Sequence, residues 1–189
     1  MFKEIKKIIE FCFVYFVYLL LQIFPIRLVS VLGGVILKFL GPFTRANKIV
    51  IKNYLQIFPL AKEKEIQKQT KKSWSNTGKV FFELLILPKI ISQNDRINIK
   101  GLDNLEDAIK NKEKIIFIGI HEGNWEILLP TINKIGISVG GIYRHINNPY
   151  INKLILKIRK KSLYHSKSFY TPKGKQSAKE IIGGIKRGL

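Results

Sequence analysis

Cysteine is almost absent: Cys12 is the sole thiol in 189 residues. That excludes a disulfide framework and any Cys-based metal site. Cys12 also lies inside an apolar run, where burial raises a thiol's pKa and makes it a poor nucleophile. Negative charge is scarce too, with 13 Asp+Glu against 33 Lys+Arg and a formal net charge of +20. Among the bases arginine is rare: Arg27, Arg45, Arg96, Arg144, Arg159 and Arg187 are the only six. A nucleic-acid binder interleaves Arg with aromatics along a face, and here the aromatics gather near the N-terminus instead. No G-x-S-x-G elbow precedes a helix, so an acyl-enzyme has no candidate serine in that context. Internal repeats are missing as well.

What is present excludes disorder, because 46% of the residues are hydrophobic, enough to bury a core. The charge asks for an anionic partner, either nucleic acid or an anionic membrane surface. Codon drift is a second source of the excess, since Lys, Ile and Asn, the residues of AT-rich codons, crowd the chain.

Residues 8–24 form an apolar run interrupted by Glu10 and Gln22, near the lower limit of about 17 to 25 residues for a spanning helix. The run closes on Pro25-Ile-Arg27 without the small residues a signal peptidase needs, which favours an uncleaved anchor. Residues 28–43 are shorter, broken by Lys38 and by Gly33, Gly34 and Gly41, and read as an interfacial or re-entrant helix or one packed on the first. A soluble protein's buried core helices give the same runs. The expected division is an anchor over 1–43 and a second portion over 44–189. Lys flanks both ends of the apolar region, so flank charge alone sets no direction. The Lys-rich, disulfide-free body points to the cytoplasmic side.

Beyond Arg45 the pattern is α/β. Helical character covers 61–72 and 73–87, ended by Pro88. Alternation over 96–100 predicts a short strand, and a helix follows over 102–112. The compact run Lys114–Ile120 predicts a buried strand. Helices are expected over 125–135, 149–161 and 175–187, with a strand over 138–143 and a loop carrying His165, Tyr170 and Pro172. Strands alternating with helices imply a layered α/β fold.

The chemistry concentrates in Phe117-Ile-Gly-Ile-His121-Glu-Gly-Asn-Trp-Glu126. A strand delivers an imidazole to its C-terminal end and a helix opens just after, which is where open α/β sheets place their sites. Glu126, five positions on, can reach back to fix the tautomer of His121 and raise its basicity. Without a Ser or Cys nucleophile, such a pair suits general-base catalysis on a hydroxyl supplied by substrate. A metal centre does not fit, because no second His lies at helical spacing from His121 and His145 and His165 sit in separate loops. A single His at a strand end also serves purely structural roles.

The full string His-Glu-Gly-Asn-Trp-Glu resembles the active-site block of the bacterial late acyltransferases of lipid A biosynthesis, the lauroyl/myristoyl transferases, within the glycerolipid and lysophospholipid acyltransferase superfamily. Flanking segments agree in order: Asn53-Tyr-Leu-Gln-Ile-Phe-Pro59, Gly78 with Glu83 (Lys79 standing where Arg is usual), Tyr143-Arg144, Asn147-Asn148-Pro149, Arg159, Lys173-Gly174 and Ile185-Lys-Arg-Gly188. The resemblance implies a glycerolipid acyltransferase-like central sheet flanked by helices. It also implies acyl transfer from acyl-carrier protein to a hydroxyl of a lipid A precursor or related glycolipid, with no cofactor and no metal, at the cytoplasmic face of the inner membrane.

Carried over, His121 is the general base and Glu126 its orienting partner. Gly123 and Asn124 shape the turn and the oxyanion site. Arg144, Arg159 and Asn148 bind substrate, the guanidinium groups suiting phosphate or sugar headgroups, although Arg on a basic protein is also an ordinary surface residue. The family pattern continues with an Asp-Gln strand and a Phe-Phe-Gly segment, whereas this sequence stops at Leu189. It is therefore expected to be the front portion of a longer chain, inactive alone because a cleft lacking one wall loses positioning. The same motif serves enzymes that acylate lysophospholipids or other glycolipids. A non-catalytic basic protein binding membrane or nucleic acid is the reading from another class.

Overall fold

The computed structural model describes residues 2–111 and 113–188; Met1, the expected helix end at Lys112 and Leu189 lie outside them. The chain opens with helices α1 (Phe2–Leu21) and α2 (Ile26–Leu40), separated by Pro25, which cannot continue a helix it does not begin. A 3-10 turn over Gly41–Phe43 leads to α3 (Ala46–Ile57). The two helical segments expected over 61–87 are one long helix, α4 (Glu63–Leu85). Pro88 does not simply end it: it sits in the first turn of the short α5 (Leu87–Ile91), where its missing N–H costs nothing.

After α6 (Asp103–Lys110) come a 3-10 turn over Trp125–Ile127 and α7 (Leu128–Lys134). Strand β1 (Gly140–Tyr143), helix α8 (Pro149–Lys161) and strand β2 (Phe169–Pro172) form a βαβ unit with the two strands parallel, Gly141 opposite Tyr170 and Tyr143 opposite Pro172. Helix α9 (Lys175–Lys186) follows. Asn133 on α7, fully buried, pins the loop before β2. Its Nδ2 donates to the Ser168 hydroxyl at 2.7 Å and to the Ile137 carbonyl at 3.0 Å, and its Oδ1 accepts from the Tyr164 N–H at 2.6 Å.

The molecule is thus mostly helical, with a two-stranded parallel sheet where a larger central sheet was expected. Two expected strands are missing among the described residues. Residues 97–100 follow a 3-10 turn over Asn94–Arg96 without pairing. Residues 114–120, expected as a buried strand, form no ladder and are exposed throughout 116–120, with Ile116, Ile118 and Ile120 at 85%, 94% and 74%. A strand exists only where another offers its backbone groups, and β1 and β2 are paired with each other.

The core lies between helices rather than beneath a sheet. Leu21, Ile26 and Val29 meet Leu84 to Leu87, Ile90 and Ile91, and Leu154, Ile155 and Ile158 of α8 complete the cluster. Each such side chain contributes about 1.5 to 3 kcal/mol on burial. Gly33 and Gly78 let α2 and α4 touch backbone to backbone: a Cβ on either would meet the other's carbonyl oxygen.

Both N-terminal helices turn an apolar stripe outward. On α1 and just beyond it the stripe is Phe2, Ile5, Ile9, Phe13, Phe16, Leu20 and Ile23, with the exposed Cys12 among them; Phe11, Val14, Val17 and Tyr18 pack inward. Among the described residues, the stretch long and apolar enough to cross a membrane, by length and composition alone, is Ile26–Phe43. The span expected over 8–24 falls instead on α1, which ends at Leu21 and carries Lys3, Glu4, Lys6, Lys7 and Glu10 along its first half.

Candidate active site

The His121–Glu126 turn is built from its backbone outward. Gly123 has φ +56°, the left-handed region that glycine occupies without strain, and its carbonyl accepts a hydrogen bond from Asn76 Nδ2 of α4 at 3.2 Å. Asn124 caps the 3-10 turn, its Oδ1 accepting from the Glu126 N–H at 3.0 Å. Its Nδ2 donates to Glu83 Oε2, also on α4, at 2.6 Å. Its Oδ1 and one Nδ2 hydrogen thus tie the turn to itself and to α4. Shaping the turn is what the geometry gives it.

Glu126 does not reach back to His121. Through the 3-10 turn its carboxylate points to α8, where Arg159 grips it with two hydrogen bonds, Nε to Oε2 at 2.9 Å and Nη2 to Oε1 at 2.6 Å. The two side chains are only 11% and 15% exposed. Sequence proximity loses here to the match between a planar guanidinium and a carboxylate in a site with little water. His121 stays on the outside, exposed, its ring 5.1 Å from that of Trp125.

The same contact corrects the reading of Arg159 as a headgroup ligand. Its guanidinium lies 5.7 Å from the centre of the Tyr143 ring of β1, is largely buried, and commits Nε and Nη2 to Glu126. Burial works against its charge, but the hydrogen bonds and charge of Glu126 prevail, so its pKa stands above the ordinary arginine value. Beside it, burial drives the Tyr170 phenol of β2 well above the usual tyrosine range, against the pull of Arg159. A charged pair flanked by two aromatic rings is thus locked between the turn, α8 and the sheet.

Asn148 is corrected as well. It is buried at the start of α8, where its Oδ1 accepts from the Tyr150 and Ile151 N–H groups at 3.1 and 3.3 Å. Its Nδ2 donates to the Lys7 carbonyl at 2.8 Å and to Glu10 at 3.1 Å. It is a cap that fastens α1 to α8, and no polar atom is left for substrate. Arg144 is exposed just after β1 and makes no ion pair among the described residues.

Sequence reasoning gave no site role to Glu83, Asn76, Tyr143 or Tyr170. Glu83 carried a signal: it is the single charged residue in Val80–Pro88, and a carboxylate in such a run needs a polar partner. Asn76 had none. Among the described residues no three His, Cys, Asp or Glu side chains come together as a metal site does.

Compared with known families, residues 2–188 match the model described as bacterial lipid A biosynthesis acyltransferase. No curated protein and no solved structure matches.

Proposed function

Since the chain belongs to the bacterial lipid A biosynthesis acyltransferases, and is therefore of an acyltransferase family acting on lipids, we propose that its reaction is general-base acyl transfer with His121 as the base. The acceptor hydroxyl of a lipid A precursor gives its proton to the imidazole while its oxygen attacks the thioester carbonyl of an acylated acyl-carrier protein. The tetrahedral adduct then expels the carrier's thiolate, which His121 reprotonates. No acyl-enzyme forms and no cofactor enters.

One observation carries this reading. The turn is tied down by Asn76, Glu83, the Asn124 cap and the Arg159–Glu126 pair, while His121 at its head remains exposed. Fixing a loop around one unsatisfied imidazole is preorganisation for a proton transfer. Glu126 and Arg159 act together as positioning residues. Arg144, exposed and unpaired, suits a phosphate or sugar headgroup, and Gly123 gives the turn the close approach a reacting carbonyl needs. The family is bacterial and membrane-associated, and the outward apolar stripes of α1 and α2 support an enzyme resting on a bilayer, with its catalytic part on the cytoplasmic face of the inner membrane.

The test, run on a longer form that also carries the expected Asp-Gln strand and Phe-Phe-Gly segment, is transfer of acyl groups from acyl-carrier protein to a lipid A precursor in detergent micelles. His121→Ala is expected to lower turnover by about 100- to 10,000-fold, the usual worth of a positioned base. Full turnover by that variant would remove His121 from the chemistry.

A further inference from the structure

An open cleft of about 460 Å³ lies between the last turn of α2 and the first half of α4, far along the chain from the His121 turn. Its lining is Lys38, Lys64, Gln67, Lys68, Lys71 and Lys72. Lys64, Lys68, Lys71 and Lys72 share one face of α4, spaced by four, three and one, and Lys38 closes the cleft from α2. None of the five is ion-paired among the described residues. The acidic residues nearest in sequence are Glu63 and Glu65, and Glu63 already accepts a hydrogen bond from Gln67 at 3.1 Å. Five like charges around one hollow repel one another, and an anion bearing several oxygens relieves that repulsion.

The neighbouring surface says which anion. Val31, Leu32, Val35, Phe39, Leu40 and Phe43 are all exposed and recur at spacings of three and four, so α2 turns a continuous apolar stripe to the outside immediately beside Lys38. Its opposite face is sealed on α4 at Gly33, Gly34 and Gly41. An α2 crossing a bilayer would draw the lysines of α4 into hydrocarbon with it, which charged side chains strongly resist. Lying flat, α2 places its stripe among acyl chains and the lysines at headgroup depth.

We infer that α2 is an in-plane interfacial helix and that the lysine cleft binds the phosphates of anionic phospholipids, docking the molecule on a negatively charged bilayer. The inference draws on the lipid-acting reading above only in supposing a membrane nearby, and it stands or falls apart from the role of His121.

The experiment is co-sedimentation of the whole chain with phosphatidylcholine vesicles, with and without about a third phosphatidylglycerol. The chain is expected to bind the anionic vesicles more tightly, and less so as salt rises from about 0.05 to about 0.5 M. Each lysine is expected to supply about fivefold in partition. A variant with Lys38, Lys64, Lys68, Lys71 and Lys72 all changed to Gln should therefore bind about 3,000-fold more weakly, while the same positions changed to Arg keep the affinity. Val35→Ser with Phe39→Ser should weaken binding to both vesicle types. As a check on folding, the Gln variant should keep the far-ultraviolet circular dichroism of the unaltered chain, and, as a check on independence from catalysis, His121→Ala should bind vesicles as the unaltered chain does. Equal binding to both vesicle types, or undiminished binding by the Gln variant, overturns the inference. So does tight retention on DNA or on an acidic protein, lost in the Gln variant, without preference for anionic vesicles.

Discussion

Arg159 and Glu126 carry the largest single-residue consequences. Removing one partner of a buried ion pair leaves the other charge without compensation, at a cost of about 3 to 5 kcal/mol. Arg159→Ala is therefore expected to lower unfolding stability by about 3 kcal/mol in a denaturant titration. Arg159→Lys should recover only part of it, because an ammonium cannot make the paired hydrogen bonds of a guanidinium. The neighbouring phenol gives a pH signature. Tyr170 has a raised pKa in the folded state, so above about pH 10 the unfolded chain ionises its tyrosine while the folded chain does not. Stability present below that pH is lost as pH rises through it. Alkaline unfolding curves should show Tyr170→Phe losing less between about pH 9 and pH 11 than the unaltered chain. At this scale the sequence was half legible. Spacing singled out His121 and Glu126, but the partner of Glu126 lies 33 residues away on α8, and only the packing of that helix decides it.

Among the elements, the contact of α2 with α4 is the most sensitive. At Gly33 and Gly78 the two backbones occupy the space a side chain needs, so Gly78→Ala must push the helices apart. Overpacking of this kind costs about 1 to 3 kcal/mol, and thermal unfolding should show a matching fall in midpoint. An alanine at Gly136, whose φ is +103° and whose Cβ direction is open, strains only its own turn. Helices were the readable elements: the expected range 149–161 is α8 as observed, because Asn148 and Pro149 are start signals that act locally. Strands were not. Residues 114–120 have the composition of a buried strand but lack a partner, whereas β2 was read as loop because Pro172 and its shortness hide a pairing made only through β1.

On the scale of the molecule, a net charge of +20 stays uncompensated, and the described residues hold two ion pairs, Lys7–Glu4 and Arg159–Glu126. Self-repulsion on that scale favours expansion, so added salt should stabilise the fold. The unfolding midpoint is expected to rise between about 0.05 and about 0.3 M sodium chloride, where the screening length shortens by more than half. An unchanged or falling midpoint would mean that the charges are too widely spread to strain the fold. The pattern reading also expected more sheet than the molecule has. Much of the hydrophobic content lies on helix faces, including those turned outward along α1 and α2.

That outward face carries its own reporter. Cys12 is the one thiol in the chain and lies exposed within the α1 stripe between Ile9 and Phe16, so a maleimide dye attaches at a single position without any cysteine having to be engineered away. A polarity-sensitive fluorophore there reads the surroundings of α1 directly. Blue-shifted emission on adding vesicles marks hydrocarbon around the helix, and quenching by lipids brominated at known depths measures how far it sinks. The residue that sequence reasoning set aside as chemically inert thus becomes a depth gauge for the membrane face.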